Sequence, residues 1–97
     1  MQFVWDEKKR RENISKHGID FRDAPEIFDG PMLVALDNLE DYGEDRFIGL
    51  GFIKEKVVVI AYSESEEDTV RVISLRKANK NEREKFAEEL AKRLGPI

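Results

Sequence analysis

Polar stretches with helix-capping residues come before the strand-like apolar runs of this chain. Asp6 can cap the free amide groups of a helix predicted over Glu7–Lys16, and Gly18 supplies its left-handed end. Asp20 can cap a shorter second helix across Arg22–Phe28, which carries a narrow apolar face. The pattern therefore predicts two brief helices before any sheet.

Strand-like composition follows in four segments: Met32–Leu36, Arg46–Ile53, Val57–Tyr62 and Thr69–Leu75. The segment Val57–Tyr62 is continuously apolar, which is typical of a central strand covered on both faces. Lys54 and Glu55 are predicted to close a hairpin, while Asp37–Gly43 is a polar connection and Ser63–Asp68 an acidic turn. These segments predict a four-stranded antiparallel sheet.

The two ends of the chain complete the predicted fold. Phe3–Trp5 is expected to form a short strand or an anchored arm. Asn79 and Glu82 have the spacing of a capping box, which opens a helix over Lys80–Leu94 that Gly95 ends. The order predicts an α+β domain with its helices on one side of the sheet and the other face open as a shallow basic cleft.

Length and composition limit the possible functions. The 97 residues fit one domain spanning 1–97. The net charge of −4 argues against nonspecific binding to nucleic acid, so a basic site must be local. There is no cysteine, no metal-ligand spacing and no phosphate-binding glycine loop, so neither a metal nor a cofactor is expected. No apolar run is long enough to cross a membrane, and a cytoplasmic location is expected.

The single histidine, His17, is the first candidate for acid–base chemistry because imidazole exchanges protons near neutral pH. It stands at the predicted end of a helix, immediately before Gly18. A histidine in that position also commonly closes a helix by complementing its dipole. Both interpretations of His17 stay open from the sequence.

Many dispersed residues, in order from Phe3 to about Phe86, resemble the BrnT toxin family. They are Phe3-x-Trp5-Asp6, Lys9, Asn13, Lys16-His17-Gly18-Ile19-x-Phe21, Ala24, Phe28-Asp29, Asp41-Tyr42-Gly43-Glu44-x-Arg46-Phe47, Arg71-x-Ile73-Ser74-x-Arg76-Lys77-Ala78 and Glu82-Arg83. The resemblance implies a RelE-like fold and a ribonuclease toxin of a type II toxin–antitoxin system. It also implies neutralisation by a small BrnA-like antitoxin, and DNA contact only through that partner.

Cleavage of RNA without a metal needs a base, an acid and cations that stabilise the charge growing on phosphorus. We predict His17 as the proton-transfer group, with Arg46, Arg71 and Arg76 stabilising the phosphorane. Three further candidates could bind substrate: Lys16, Tyr62 and Lys77. Glu44 could orient Arg46 or act as a base. Trp5, Phe21 and Phe28 are predicted to be core residues.

Arg71 and Arg76 are five residues apart, so on a regular strand they would point to opposite faces. They can serve one site if a bulge intervenes or if Arg76 lies beyond the end of the strand, and the sequence favours the second arrangement because Lys77 and Ala78 lead to the next helix cap.

A noncatalytic, ParE-like protein that binds a protein target is the alternative function, and an inactive interaction module is a further one. The fold alone does not choose between them. The histidine and arginine set favours the ribonuclease, and the fate of RNA in cells that express the protein would separate the hypotheses.

Overall fold

The computed structural model describes residues 1–37 and 43–95, with only the backbone of Ser65. Its elements are β1 (Gln2–Val4), α1 (Glu7–His17), a 3₁₀ turn (Phe21–Asp23), α2 (Ala24–Asp29), β2 (Leu33–Asp37), β3 (Arg46–Ile53), β4 (Lys56–Glu66), β5 (Thr69–Lys77) and α3 (Lys80–Leu94). This confirms the α+β class and the predicted bounds of β3 and α3.

The sheet has five strands in the order β1-β5-β4-β3-β2. The prediction of four strands was wrong because β1 joins the outer edge of β5, where Phe3 pairs with Val70 in parallel. The other three strand pairs are antiparallel, so the sheet is mixed. β4 lies in the middle, as its continuous apolar run predicted.

Helices cover both faces of the sheet, which corrects the prediction that all of them lie on one side. On one face, which we call the α1/α2 face, Phe21 and Ile27 pack with Val58 and Ile60 of β4. On the opposite face, the α3 face, the buried ring of Phe86 packs with Leu50 and Val59. Side chains of a strand point alternately to its two faces, and the run Val57–Tyr62 of β4 is continuously apolar. Both faces of β4 are therefore apolar, and both are buried under helices.

Local capping signals were predicted correctly. Asp6 accepts hydrogen bonds from the first turn of α1, Gly18 ends that helix at φ 72°, and Asn79 and Glu82 form the predicted capping box of α3. Asp20 caps the 3₁₀ turn instead of one continuous helix, so the predicted second helix divides in two. Trp5, Phe21 and Phe28 contribute to the core, as predicted.

Two predicted connections have different outcomes. The acidic turn predicted over 63–68 was wrong in extent, because β4 continues to Glu66 and the chain turns at Glu67 and Asp68, where Asp68 has φ 55°. The polar connection predicted over Asp37–Gly43 lies mostly in 38–42, outside the described residues. Asp37 itself is the last residue of β2.

Asn13 fixes α1 to the edge of the sheet. β1 ends opposite Arg71, so beyond that point no strand of the described residues pairs with the outer edge of β5. There the buried Asn13 amide donates to the Leu75 carbonyl at 2.8 Å, while its oxygen accepts from the Leu75 N–H at 3.1 Å. A second donation to the Ile19 carbonyl, at 2.9 Å, holds the chain after α1.

Replacing Gly51 by alanine should lower the free energy of unfolding by about 2 kcal/mol through overpacking. A Cβ atom there would lie 2.5 Å from Cγ2 of Ile27, which is fully buried. Gly49→Ala is the matched control, because its nearest neighbour is the flexible end of Met32 at 2.9 Å. Urea unfolding should show a clearly smaller loss in the control, and equal losses would contradict this account.

Candidate functional site

Charged and polar residues form one row across the α3 face of the sheet. Asp37 pairs with Arg46, Arg46 with Ser63, and Ser63 with Arg71, so the row crosses four adjacent strands. Residues paired in this way point to the same face, with Cβ atoms about 5 Å apart between neighbouring strands. We call Asp37, Arg46, Ser63 and Arg71 the arginine row. The Arg71 side chain is exposed, so it can reach a ligand on this face.

A bulge in β5 brings a third arginine to the same face. Ala61 pairs with Ser74 but Tyr62 pairs with Val72, which leaves Ile73 as the extra residue. The extra residue reverses the alternation, so Arg71 and Arg76 share the α3 face although they are five apart. The favoured sequence prediction was wrong here, because Arg76 lies inside β5 and pairs with Val59.

Arg76 is engaged with Glu82, in the first turn of α3. The two guanidinium nitrogens donate to the two carboxylate oxygens, both at 2.8 Å. Hydrogen bonds from Arg76 lower the pKa of Glu82 to about 2, with the Asn79 N–H adding to the effect. Arg76 therefore positions the start of α3, and much of its charge is compensated.

The Arg76–Glu82 pair should make the free energy of unfolding depend on pH in the acidic range. The pKa of Glu82 is lowered in the folded protein, so its stabilisation is present above about pH 4.5 and is lost as the pH falls towards 2. Arg76 is 41% exposed, and solvent screening limits the effect to about 1 kcal/mol. The difference in unfolding free energy between wild type and Glu82→Gln should shrink between pH 5 and pH 2.5. Glu84→Gln on the exposed side of α3 is the control, and a constant difference for Glu82→Gln would contradict the assignment.

Ser63, between Arg46 and Arg71, is a feature that sequence reasoning missed. Its side chain is fully buried, and among the described residues its hydroxyl has no hydrogen-bond partner. Buried polar groups are nearly always satisfied, so such a hydroxyl calls for an explanation, and a functional role is one of them. A lone serine in a strand carries no motif, and only the register shows that two arginines flank it.

His17 lies on the other face of the sheet. It lines a cavity of about 260 Å³ together with Lys77 and Val58, which belong to the α1/α2 face. Val58 and Ser63 are five residues apart on β4, a distance of about 16 Å along the strand. The structure thus brings His17 and Lys77 together, and Arg46 and Arg71 together, but it does not bring the two pairs to one point.

The other two predicted substrate-binding residues have contrasting surroundings. Lys16 is exposed in the last turn of α1, beside His17. Tyr62 is only 4% exposed, and its ring packs on Phe28 and Phe47 with centroids 5.2 and 5.4 Å away. Burial, assisted by the charge of Glu64, raises the pKa of Tyr62. This ring belongs to the core and presents no open face to an RNA base.

The part of the chain that the structure describes offers neither a metal site nor a membrane-spanning helix. In residues 1–37 and 43–95, no group of three histidine, cysteine, aspartate or glutamate side chains could hold a metal ion. Within the same residues, no helix is long and apolar enough to span a membrane.

Comparisons with known proteins identify the class to which this chain belongs. A family profile described as "Ribonuclease toxin, BrnT, of type II toxin-antitoxin system" matches residues 5–82. The class is therefore that of toxins from type II toxin–antitoxin systems, whose members act with an antitoxin partner. Within that class, the chain belongs to the BrnT ribonuclease toxin family.

A solved structure agrees with this assignment. The crystal structure of the Brucella abortus ribonuclease toxin BrnT is similar to this chain, with 29% sequence identity and a TM-score of 0.65. The match covers 82% of this chain and 99% of the Brucella chain. No functionally curated protein matches the chain.

Proposed function

We propose that this chain is an endoribonuclease that cleaves RNA without a metal ion, on the open part of the α3 face. The observation that carries the proposal is the register of the sheet, which places Arg46 and Arg71 on the same face, on either side of Ser63. Two guanidinium groups can bind the oxygens of one phosphodiester through paired hydrogen bonds. This is the arrangement that a phosphate with growing negative charge requires.

The reaction that suits this site is internal attack by the ribose 2′-hydroxyl on the adjacent phosphorus. The bond from phosphorus to the 5′-oxygen breaks, and the departing oxygen takes a proton from water, which leaves a 2′,3′-cyclic phosphate and a 5′-hydroxyl. Arg46 and Arg71 would stabilise the phosphorane, whereas Arg76 would contribute mainly by holding α3 through Glu82.

A carboxylate beside Arg46 is our candidate for the group that takes the 2′-hydroxyl proton. Asp37 is the first choice because it stands directly opposite Arg46 in the register. Glu44, two residues before Arg46, is the alternative that the sequence suggested. We expect Asp37→Asn to lower the rate of cleavage more than Glu44→Gln does, with RNA binding largely kept.

The direct test is incubation of the purified protein with RNA in excess chelator. We expect defined fragments that end in a 2′,3′-cyclic phosphate, as resolved by mass spectrometry. Arg71→Ala and His17→Ala should be compared in the same assay, because their relative losses locate the scissile phosphate. A larger loss for Arg71→Ala supports the arginine row, and a larger loss for His17→Ala would move the reaction to the cavity.

Intact RNA in this assay would favour the alternative, a noncatalytic toxin that occupies a protein target. The same outcome in growth-arrested cells that express the protein would exclude the ribonuclease. Translation should stop before the cells lose membrane integrity if RNA is the target, and we place this activity in the cytoplasm.

We also propose a BrnA-like antitoxin as the partner that neutralises this chain by covering the arginine row. The net charge of −4 suits indirect DNA contact, in which the antitoxin binds its own promoter. The pure antitoxin should inhibit RNA cleavage at a fixed stoichiometry. Promoter DNA should shift in a gel only when the antitoxin is present.

A further inference from the structure

The cavity on the α1/α2 face has the composition of a binding site in its own right. Four parts of the chain converge on it: the end of α1, the 3₁₀ turn, the β3–β4 hairpin and the end of β5. The floor consists of three aliphatic side chains, Ile19, Ile53 and Val58. The rim consists of charged or titratable side chains, which are His17, Asp23, Lys54, Lys56 and Lys77.

The rim is strongly cationic in a protein that is acidic overall. Lys54, Lys56 and Lys77 line the cavity with one carboxylate, Asp23, and the Glu26 carboxylate lies beside the Lys54 backbone. None of these three lysines forms a salt bridge with a described residue, although the chain carries 21 acidic residues. Three like charges held around one space repel each other, and a bound anion would relieve that repulsion.

Backbone contacts place two of these exposed lysines beside the cavity. The tight β3–β4 turn places Lys54 at φ 56°, and the Lys54 N–H donates a hydrogen bond to the Glu26 carboxylate of α2. Lys77 pairs with Val58 at the end of β5, so its side chain starts from the cavity wall. One feature disfavours an anion here. The C-terminal end of α1 carries a partial negative charge, which favours a cation beside His17.

We propose that this cavity is a second site, separate from the arginine row, that binds the phosphate group of a nucleotide. Its lysines would bind the phosphate oxygens, and its aliphatic floor would contact the sugar or base. A volume of about 260 Å³ lies just below the roughly 300 Å³ at which small-molecule sites begin, so the cavity has room for one nucleotide unit at most. That unit can be a free nucleotide or one residue of an RNA strand.

The test is an NMR titration of the intact wild-type chain with 5′-UMP. We expect saturable shifts of the backbone amides of His17, Lys54 and Lys77 that share one dissociation constant, distinct from that of any shifts at Arg46 or Arg71. The double variant Lys56→Gln/Lys77→Gln should bind 5′-UMP at least about tenfold more weakly. The double variant Lys8→Gln/Lys80→Gln removes the same charge from two exposed positions on helices and should bind like wild type.

Two further ligands show which chemical group the cavity recognises. Uridine should fail to saturate the cavity, and equal binding of uridine and 5′-UMP would overturn a phosphate site. No saturation by about 10 mM 5′-UMP, or equal weakening by both double variants, would overturn the proposal as well. A deoxyoligonucleotide that shifts the same amides at lower concentration than 5′-UMP would identify a nucleic acid strand as the source of the phosphate. If 5′-UMP acts at the lower concentration, the source is a free nucleotide.

This site goes beyond the ribonuclease proposal, and the two can fail separately. Arg71→Ala alters the opposite face of the sheet, so it should leave the amide shifts caused by 5′-UMP in place. A protein that cleaves RNA but shows no shifts at the cavity would refute this site alone.

Discussion

Replacing Arg71 by alanine should lower the rate of RNA cleavage about 100-fold to 1,000-fold. Loss of one preorganised donor to a developing negative charge typically has an effect of this size. Arg71 is the exposed member of the arginine row and lies opposite Ser63. The effect should fall on the maximal rate more than on RNA binding, because the phosphorane carries more negative charge than the substrate. Single-turnover cleavage of a labelled RNA, measured over a range of protein concentrations, separates the maximal rate from RNA binding.

Two further variants make this result specific. Arg71→Lys keeps the charge but loses the paired hydrogen bonds, so it should recover only part of the rate. Arg11→Ala removes an exposed arginine from α1 and should leave the rate unchanged. If Arg71→Ala cleaves as fast as Arg11→Ala, with both variants folded by circular dichroism, then the arginine row does not bind the scissile phosphate.

The parts of the fold that depend on neighbouring residues could be predicted from the sequence. Asp6, Gly18 and the pair Asn79 and Glu82 act within one helical turn, and each forms the predicted cap. The pairing of β1 with β5 joins residues that are 67 positions apart, as for Phe3 and Val70. Such pairing is set by the shape of the whole sheet, so a three-residue strand does not reveal it.

The arginines of the proposed site could be predicted as residues but not as an arrangement, and Ser63 between them was missed. Each arginine could be identified from its chemistry and from the family resemblance. The face that each one occupies depends on the bulge at Ile73, and that isoleucine looks like any other apolar strand residue. The position of His17 depends on where α1 crosses the edge of β5, which Asn13 fixes through contacts 62 residues away in sequence.

Asn13 should therefore be among the residues on which folding depends most. We expect Asn13→Ala to lower the free energy of unfolding by about 2–4 kcal/mol, because it leaves the N–H and the carbonyl of Leu75 without their partner. Each buried backbone group that loses its hydrogen bond costs about 1–3 kcal/mol. Urea unfolding followed by circular dichroism measures the loss.

The matched variants separate hydrogen bonding from shape. Asn13→Asp has nearly the same size, but a carboxylate cannot donate to the carbonyls of Ile19 and Leu75. It should therefore destabilise the protein at neutral pH at least as much as alanine does. Ser15→Ala, exposed on the same helix, should change stability by less than about 0.5 kcal/mol. A stable Asn13→Asp variant would mean that packing alone, and not the amide, attaches α1 to the sheet edge.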